Sequence, residues 1–375
     1  MNELAQVTAN PPLGVAIFAL GGLAGAVFYL PFKKVKNWAW ESYWMVYAFF
    51  GLVIVPWLLA FSTSPNVTAV LQNAPRGETV YCFLCGAAWG IGGLTWGLMI
   101  RYLGVGLGLA IGCGLCSAAG TLIPPILAGN LSKLHGSPSA NISLVGVVVS
   151  LVGIVLIGMA GMSKEKELPE EEKKKAVAEY DFKKGLMVAI FSGLMSAAMN
   201  FGLQGGPTIT SLAQTTEPVT SITWRGMPVL VVVLLGGFTI NFLWCLYLNF
   251  KNKTVADYAK TGVPLAGNFV FAGLAGAIWC SQFICFKTGE PAMGETAYVG
   301  WAVLMASAIL FSTLLGIMLG EWKGTSSKTR LLLACGLVLL LGSTVIAGYS
   351  GRLAQRGSGH AMARAPCHLS CRSFS

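Results

Sequence analysis

Three tryptophans and four carboxamides stand inside long apolar runs: Trp89, Trp96 and Trp279, with Asn200, Gln204, Asn241 and Gln282. Trp89, Gly93 and Trp96 recur at i, i+4 and i+7, so two indoles and a glycine share one helical face. Trp279 closes Gly276-Ala277-Ile278-Trp279, an echo of Gly86-Ala87-Ala88-Trp89, and Gln282 follows three residues later. Asn200 and Gln204 stand at i and i+4. These side chains break no bonds; they recognise. An indole is a flat apolar wall, and a carboxamide both donates and accepts. Burying an amide is costly unless it is satisfied, so each must have a partner. A partner helix or a sugar ring would use such a face. The competing reading is structural: tryptophans fill space, and amides bond one membrane helix to the next.

The elements that carry these residues follow from composition. The chain has 375 residues, 55% of them hydrophobic and 11% charged, with 47 glycines. A soluble domain carries roughly 25% charged residues, so most of this chain has no need of water. Apolar runs long enough to cross roughly 30 Å of hydrocarbon recur along it. The expected fold is an all-α polytopic membrane protein of ten transmembrane helices. The spans fall near 13–31, 43–61, 79–101, 104–128, 141–162, 185–206, 226–250, 264–287, 296–320 and 329–350. Pro124-Pro125 should break or kink the fourth span, and 288–295 should be a turn. Residues 1–12 form an extramembrane segment and 13–162 a first group of five helices. A charged cytoplasmic linker at 163–184 leads to a second group at 185–350. The tail 351–375 lacks periodicity and should be disordered.

The net charge of +10 does not mark a nucleic-acid binder, because the lysines sit in short loops beside the spans. Of 25 Lys and Arg, 17 fall on one side of this topology. That side is cytoplasmic by the positive-inside rule, which leaves both termini periplasmic. Trp38, Trp40 and Trp322 neighbour charged span ends and suit an interfacial belt. Cys82/Cys85 and Cys113/Cys116 have C-x-x-C spacing but lie in apolar runs without histidine, so no metal or other cofactor is expected. Span 1 carries Gly21-Gly22-Leu23-Ala24-Gly25-Ala26 and span 6 carries Ser192-Gly193-Leu194-Met195-Ser196-Ala197. With the shared Gly-Ala-x-Trp of spans 3 and 8, this reads as a 5+5 inverted repeat. A substrate site is then expected at the repeat interface near mid-membrane.

Phe28-Tyr29-Leu30-Pro31-Phe32-Lys33-Lys34-Val35-Lys36-Asn37-Trp38-Ala39-Trp40-Glu41 resembles the bacterial L-rhamnose–proton symporter family. So do Met99-Ile100-Arg101-Tyr102-Leu103-Gly104, Gly120-Thr121-Leu122-Ile123-Pro124-Pro125-Ile126, Phe182-Lys183-Lys184-Gly185-Leu186 and Glu321-Trp322. The likeness is collinear from about Gly14 to Gly348. It implies a ten-helix fold of the drug/metabolite transporter superfamily and proton-coupled uptake of a deoxyhexose across the bacterial inner membrane. The linker, the loop 207–225 and the tail depart from it. The cargo implied is a neutral sugar, for which the tryptophans and amides above are the binding candidates. Proton coupling calls for a titratable group, usually an intramembrane carboxylate. No acid stands at mid-span; Glu41, Glu78, Glu217, Glu290, Glu295 and Glu321 all lie near span ends. The coupling or gating candidates are Glu41 and Glu321 on the lysine-rich side, Glu295 on the other, and the deeper cations Arg101 and Lys287. Simple solvation at the interface is the alternative for each. A transporter of another polar metabolite, a membrane enzyme and a non-transporting sensor are the rival functions. The oligomeric state is open.

Overall fold

The structure, a computed structural model, describes residues 9–127, 129, 135–167 and 181–364, without the side chains of 105, 109 and 357–364. Residues 1–8, Lys133, 168–180 of the linker and 365–375 of the tail lie outside the described residues. Among the described residues every regular element is helical. In order they are α1 (Pro11–Val27), α2 (Trp40–Phe49), α3 (Val55–Thr63), α4 (Val67–Asn73), α5 (Arg76–Leu127) and α6 (Pro138–Glu167). There follow α7 (Phe182–Gln204), α8 (Pro207–Thr215), α9 (Met227–Lys251), α10 (Leu265–Met293), α11 (Gly300–Met318) and α12 (Ser327–Arg364). A π turn at Phe50–Ile54 joins α2 to α3. Gly104, at φ 80° and ψ 167°, divides α5 into two arms. Nine stretches of the described residues are long and apolar enough to cross a membrane.

Helix starts are written locally. Asn10 caps α1 at the Leu13 N–H, with Pro11 and Pro12 opening the first turn. Asp181 caps α7 by accepting from the Lys184 N–H at 3.0 Å, and that bond holds its carboxyl below the usual carboxylate range. Apolar attraction does not bring helices together in lipid, so close packing at small residues must do it. Gly22 of α1 lies on Ser307 of α11, and Gly193 of α7 lies on Gly112 and Leu115 of α5. Gly51 of the π turn and Gly276 of α10 face each other, so that a Cβ on Gly51 would stand 2.6 Å from the Gly276 carbonyl oxygen.

Three expectations are corrected. Pro124 and Pro125 do not break the helix; they sit in the last turn of α5, and the non-helical residue is Gly104. The stretch 288–295 is not a turn at its start, because α10 runs on to Met293 with Pro291 near its end, where few carbonyls remain to be satisfied. The tail is not disordered at its start, since α12 continues past Ser350 to Arg364. Gly351 packs on Pro11, Ala354 is buried and Gln355 donates to the Ala9 carbonyl, so the helix has a surface to lie on.

The glycine contacts predict opposite signs at two positions. Gly276→Ala forces a methyl into the backbone of α2 at Tyr47 and of the π turn at Gly51 and should cost about 1–3 kcal/mol. Gly93→Ala, with open space around the added Cβ, should gain up to about 1 kcal/mol from helix propensity. Thermal unfolding of the two variants in detergent checks this, and equal effects would refute it.

Candidate functional site

An aromatic column occupies the middle of the bundle. Trp89 and Trp279 stack, with ring centroids 5.0 Å apart and planes 29° from parallel. Trp279 also meets Phe283 at 4.7 Å and Tyr47 at 6.0 Å, and Tyr47 meets Trp44 at 4.6 Å. Trp279 is 7% exposed. Gln282, one turn further along α10, is buried against Gly25 of α1 and makes no hydrogen bond among the described residues. The echo between 86–89 and 276–279 is thus a direct contact between the two tryptophans.

A polar cavity of about 410 Å³ opens at the end of the bundle away from the lysine-rich loops. Its lining includes Gln204, Thr210, Gln214, Arg225, Lys287 and Glu290. The helical spacing i, i+3 sets Lys287 and Glu290 on one face of α10, where they form an ion pair. The pair is deep: the Lys287 side chain is 5% exposed and that of Glu290 is 12%. Both groups reach across to α7. Gln204 Nε2 donates to Glu290 Oε1, and Lys287 Nζ donates to the Leu203 carbonyl at 3.1 Å. On the far wall Arg225 Nη1 donates to Gln214 Oε1 at 3.0 Å. The short helix α8 forms the rim, held by Glu78, whose carboxylate accepts from the Thr208 and Ile209 N–H groups at the α8 start.

The lysine-rich end is crossed by a second polar cluster. Glu41 and Asp257 are both buried, on α2 and on the loop after α9. Asp257 accepts from the Ala39 N–H and the Ser42 hydroxyl, each at 2.8 Å, and so sits at the α2 N-terminus. Glu41 accepts from Asn252 and Thr254, each at 2.9 Å. Asn268 of α10 clasps Lys36 through both its carbonyl and its N–H, at 2.9 and 3.0 Å. These bonds tie the α1–α2 loop to the α9–α10 loop. Burial pushes the nearby Tyr258 phenol up to about 12.

The remaining sequence candidates lie elsewhere. Trp96 is not in the aromatic column; it fits between Gly112 and α7, with Nε1 donating to Ser196 Oγ at 2.9 Å. Asn241 is fully engaged, donating to the Gly237 carbonyl at 2.8 Å and accepting from Trp44 Nε1 at 2.9 Å. Asn200 donates to the Gly120 carbonyl at 2.7 Å. Pro124 has no N–H to give that carbonyl, so Asn200 makes the bond the helix cannot. Its Oδ1 is buried without a partner. Glu295 and Glu321 are exposed at helix junctions, and Arg101 is exposed just before the α5 kink. Sequence reasoning passed over Glu290, Arg225 and Asp257. The i+3 relation of Glu290 to Lys287 was obscured by the turn expected at 288–295; Asp257 met α2 only through tertiary structure. No group of three or more His, Cys, Asp or Glu among the described residues is placed to hold a metal ion.

A helical membrane bundle with a polar cavity between its helices, closed at one end by hydrogen-bonded loops, is the architecture of a small-molecule carrier. The chain belongs to the family described as L-rhamnose-proton symport protein (RhaT), whose model matches residues 8–352. It is a family of transporters, not of enzymes. The L-rhamnose-proton symporter of Pectobacterium atrosepticum is 32% identical over 340 residues, covering 90% of this chain and 97% of that protein. Those of Pectobacterium carotovorum and Yersinia pestis are each 31% identical over 339 residues, covering 89% of this chain and 96% of each relative.

The role of Asn200 is testable by a double-mutant cycle. Asn200→Ala should destabilise by about 1–2 kcal/mol by orphaning the Gly120 carbonyl. In a Pro124→Ala background the alanine N–H supplies the bond, and the same substitution should cost markedly less. Equal costs in both backgrounds, by thermal unfolding, would contradict the assignment.

Proposed function

We infer that the chain imports L-rhamnose together with protons by alternating access in a bacterial inner membrane. The observation that carries this beyond family membership is the cavity. At about 410 Å³ it falls within the ~300–1,000 Å³ range of small-molecule sites. Amides, hydroxyls and one buried ion pair line it, as a hydroxylated neutral ring requires. In this reading the conformer faces outward, with the Glu41–Asp257 cluster closing the cytoplasmic end. Sugar binds in the cavity at Gln204 and Lys287, and Gln282 and the Trp89–Trp279 pair lie further along its path, where an indole wall suits the methyl group of a deoxyhexose.

We further propose ten crossings arranged as a 5+5 inverted repeat, with both termini periplasmic. One of the nine apolar stretches, Leu265–Met318, is 54 residues long, about twice what one crossing needs, and contains α10 and α11. The packing partners support the symmetry. The first helix, α1, packs on α10 and α11, as α7 packs on the two arms of α5. The pairs α2 with α9 and α6 with α12 join like with like across the halves. Residues matched by a two-fold axis touch one another only near that axis, where Trp89 and Trp279 stack. Glu41, Arg101, Lys287, Glu295 and Glu321 stand as coupling or gating positions at the two mouths.

Labelled L-rhamnose should accumulate in proteoliposomes under an inward proton gradient and only equilibrate without one. No uptake by folded protein under either condition would move the cargo to another polar metabolite. Gln282→Ala should leave thermal stability unchanged and raise the KM for rhamnose about fivefold, the worth of roughly one hydrogen bond. A fall in stability at unchanged KM would instead make Gln282 a packing residue.

A further inference from the structure

The Lys287–Glu290 pair is a costly thing to build between membrane helices. Two charges must be taken out of water, and only good geometry with further hydrogen bonds compensates. Here the further bonds come from α7, through Gln204 and the Leu203 carbonyl. Of the acids near span ends, Glu290 alone combines burial, a cavity wall and a bond to another helix among the described residues. Glu295 and Glu321 are exposed. Glu78 is engaged with the start of α8, and Glu41 with Asn252 and Thr254 at the opposite end. The charged and titratable groups around Glu290 are Lys287 on its own helix, Arg225 across the cavity, and Cys82 and Glu78 on α5, which share the neighbourhood of Lys287. Arg225 is already bonded to Gln214.

We propose that Glu290 takes up the coupled proton, and that Lys287 Nζ, released from the ion pair, then holds the sugar beside Gln204. The proposal rests on the symport reading above and adds its atomic basis. With Glu290 ionised, Lys287 points at its carboxylate, and a sugar hydroxyl entering the cavity finds it taken. When a proton from the cavity water forms an O–H bond on Glu290, the ion pair is lost. Lys287 is left as a buried ammonium whose remaining partner is the Leu203 carbonyl, an expensive state on its own. A rhamnose hydroxyl supplies the missing acceptor for Lys287. Proton alone leaves a charge unpaired, and sugar alone finds Lys287 occupied; the two together satisfy every group. Each ligand therefore raises the affinity for the other by the same factor, as linkage requires. Release of the proton to the cytoplasm restores the pair and expels the sugar.

The test uses wild-type protein, Glu290→Gln and Glu290→Asp in proteoliposomes. Two readouts are taken: gradient-driven accumulation of labelled L-rhamnose, and exchange of labelled for unlabelled rhamnose without a gradient. Glutamine mimics the protonated acid, so E290Q should exchange rhamnose yet fail to accumulate it. Rhamnose affinity of the purified wild type should rise roughly tenfold or more as pH falls, and that of E290Q should not change. Accumulation by E290Q at the wild-type level overturns the proposal, as does absence of exchange in E290Q that unfolds normally. If E290Q does not fold, E290D decides: a displaced pH profile of uptake supports the proposal and an unmoved one overturns it. If wild-type protein itself does not accumulate rhamnose, the symport reading fails instead.

Discussion

Between membrane helices a polar group must find its partner in protein, because lipid supplies none. That constraint accounts for most of the polar side chains here. Asn200 replaces a bond lost to Pro124, and Asn241 spends both ends of its amide on Gly237 and Trp44. Ser192 bonds to the Gly92 carbonyl, and Trp96 to Ser196. Two sets stand apart from these: Gln282, which makes no hydrogen bond among the described residues, and the Gln204–Lys287–Glu290 group, whose bonds line a cavity. Function in such a fold is carried by the side chains that helix packing has not consumed.

The two ends of the bundle answer each other. At one, the α1–α2 and α9–α10 loops are stitched together through Glu41, Asp257 and Asn268. At the other, α7 and α10 are joined across an open cavity by the Lys287 and Glu290 bonds. Between them the helices meet at glycines, where backbones slide with little steric cost. A bundle bridged by exchangeable polar contacts at each end, and packed on small residues between, has the parts that rocking between two states requires. The 52-residue α5 is broken in one place, Gly104, whose positive φ ends one arm and starts the other.

The long apolar helices were largely legible in the sequence, since hydropathy and length place most of their starts within a few residues; the short helices α4 and α8 and the extension of α12 to Arg364 were not. What was not legible is informative. Pro124-Pro125 read as a break, yet a proline in a last turn disturbs few bonds, and Asn200 repairs one of them. Pro291 misled in the same way and moved Glu290 from a helix into a supposed turn. That one shift hid the i, i+3 relation to Lys287 and with it the deepest ion pair at the cavity. The shared Gly-Ala-x-Trp around Trp89 and Trp279 was visible in the sequence, while their stacking needed tertiary structure. Trp96 shares a face with Trp89 by periodicity but packs against a different helix, because a face two turns long spans more than one neighbour. Identical residue types at identical spacing cannot say which amide is consumed by packing and which is spare.

The central claim is that sugar and proton bind to one site as a linked pair. It is tested most directly by adding L-rhamnose to the purified protein in weakly buffered detergent solution and following pH. Linked binding predicts a rise in pH that saturates with sugar, approaching one proton taken up per rhamnose bound under alkaline conditions. Saturable rhamnose binding with no change in pH at any starting pH would contradict it.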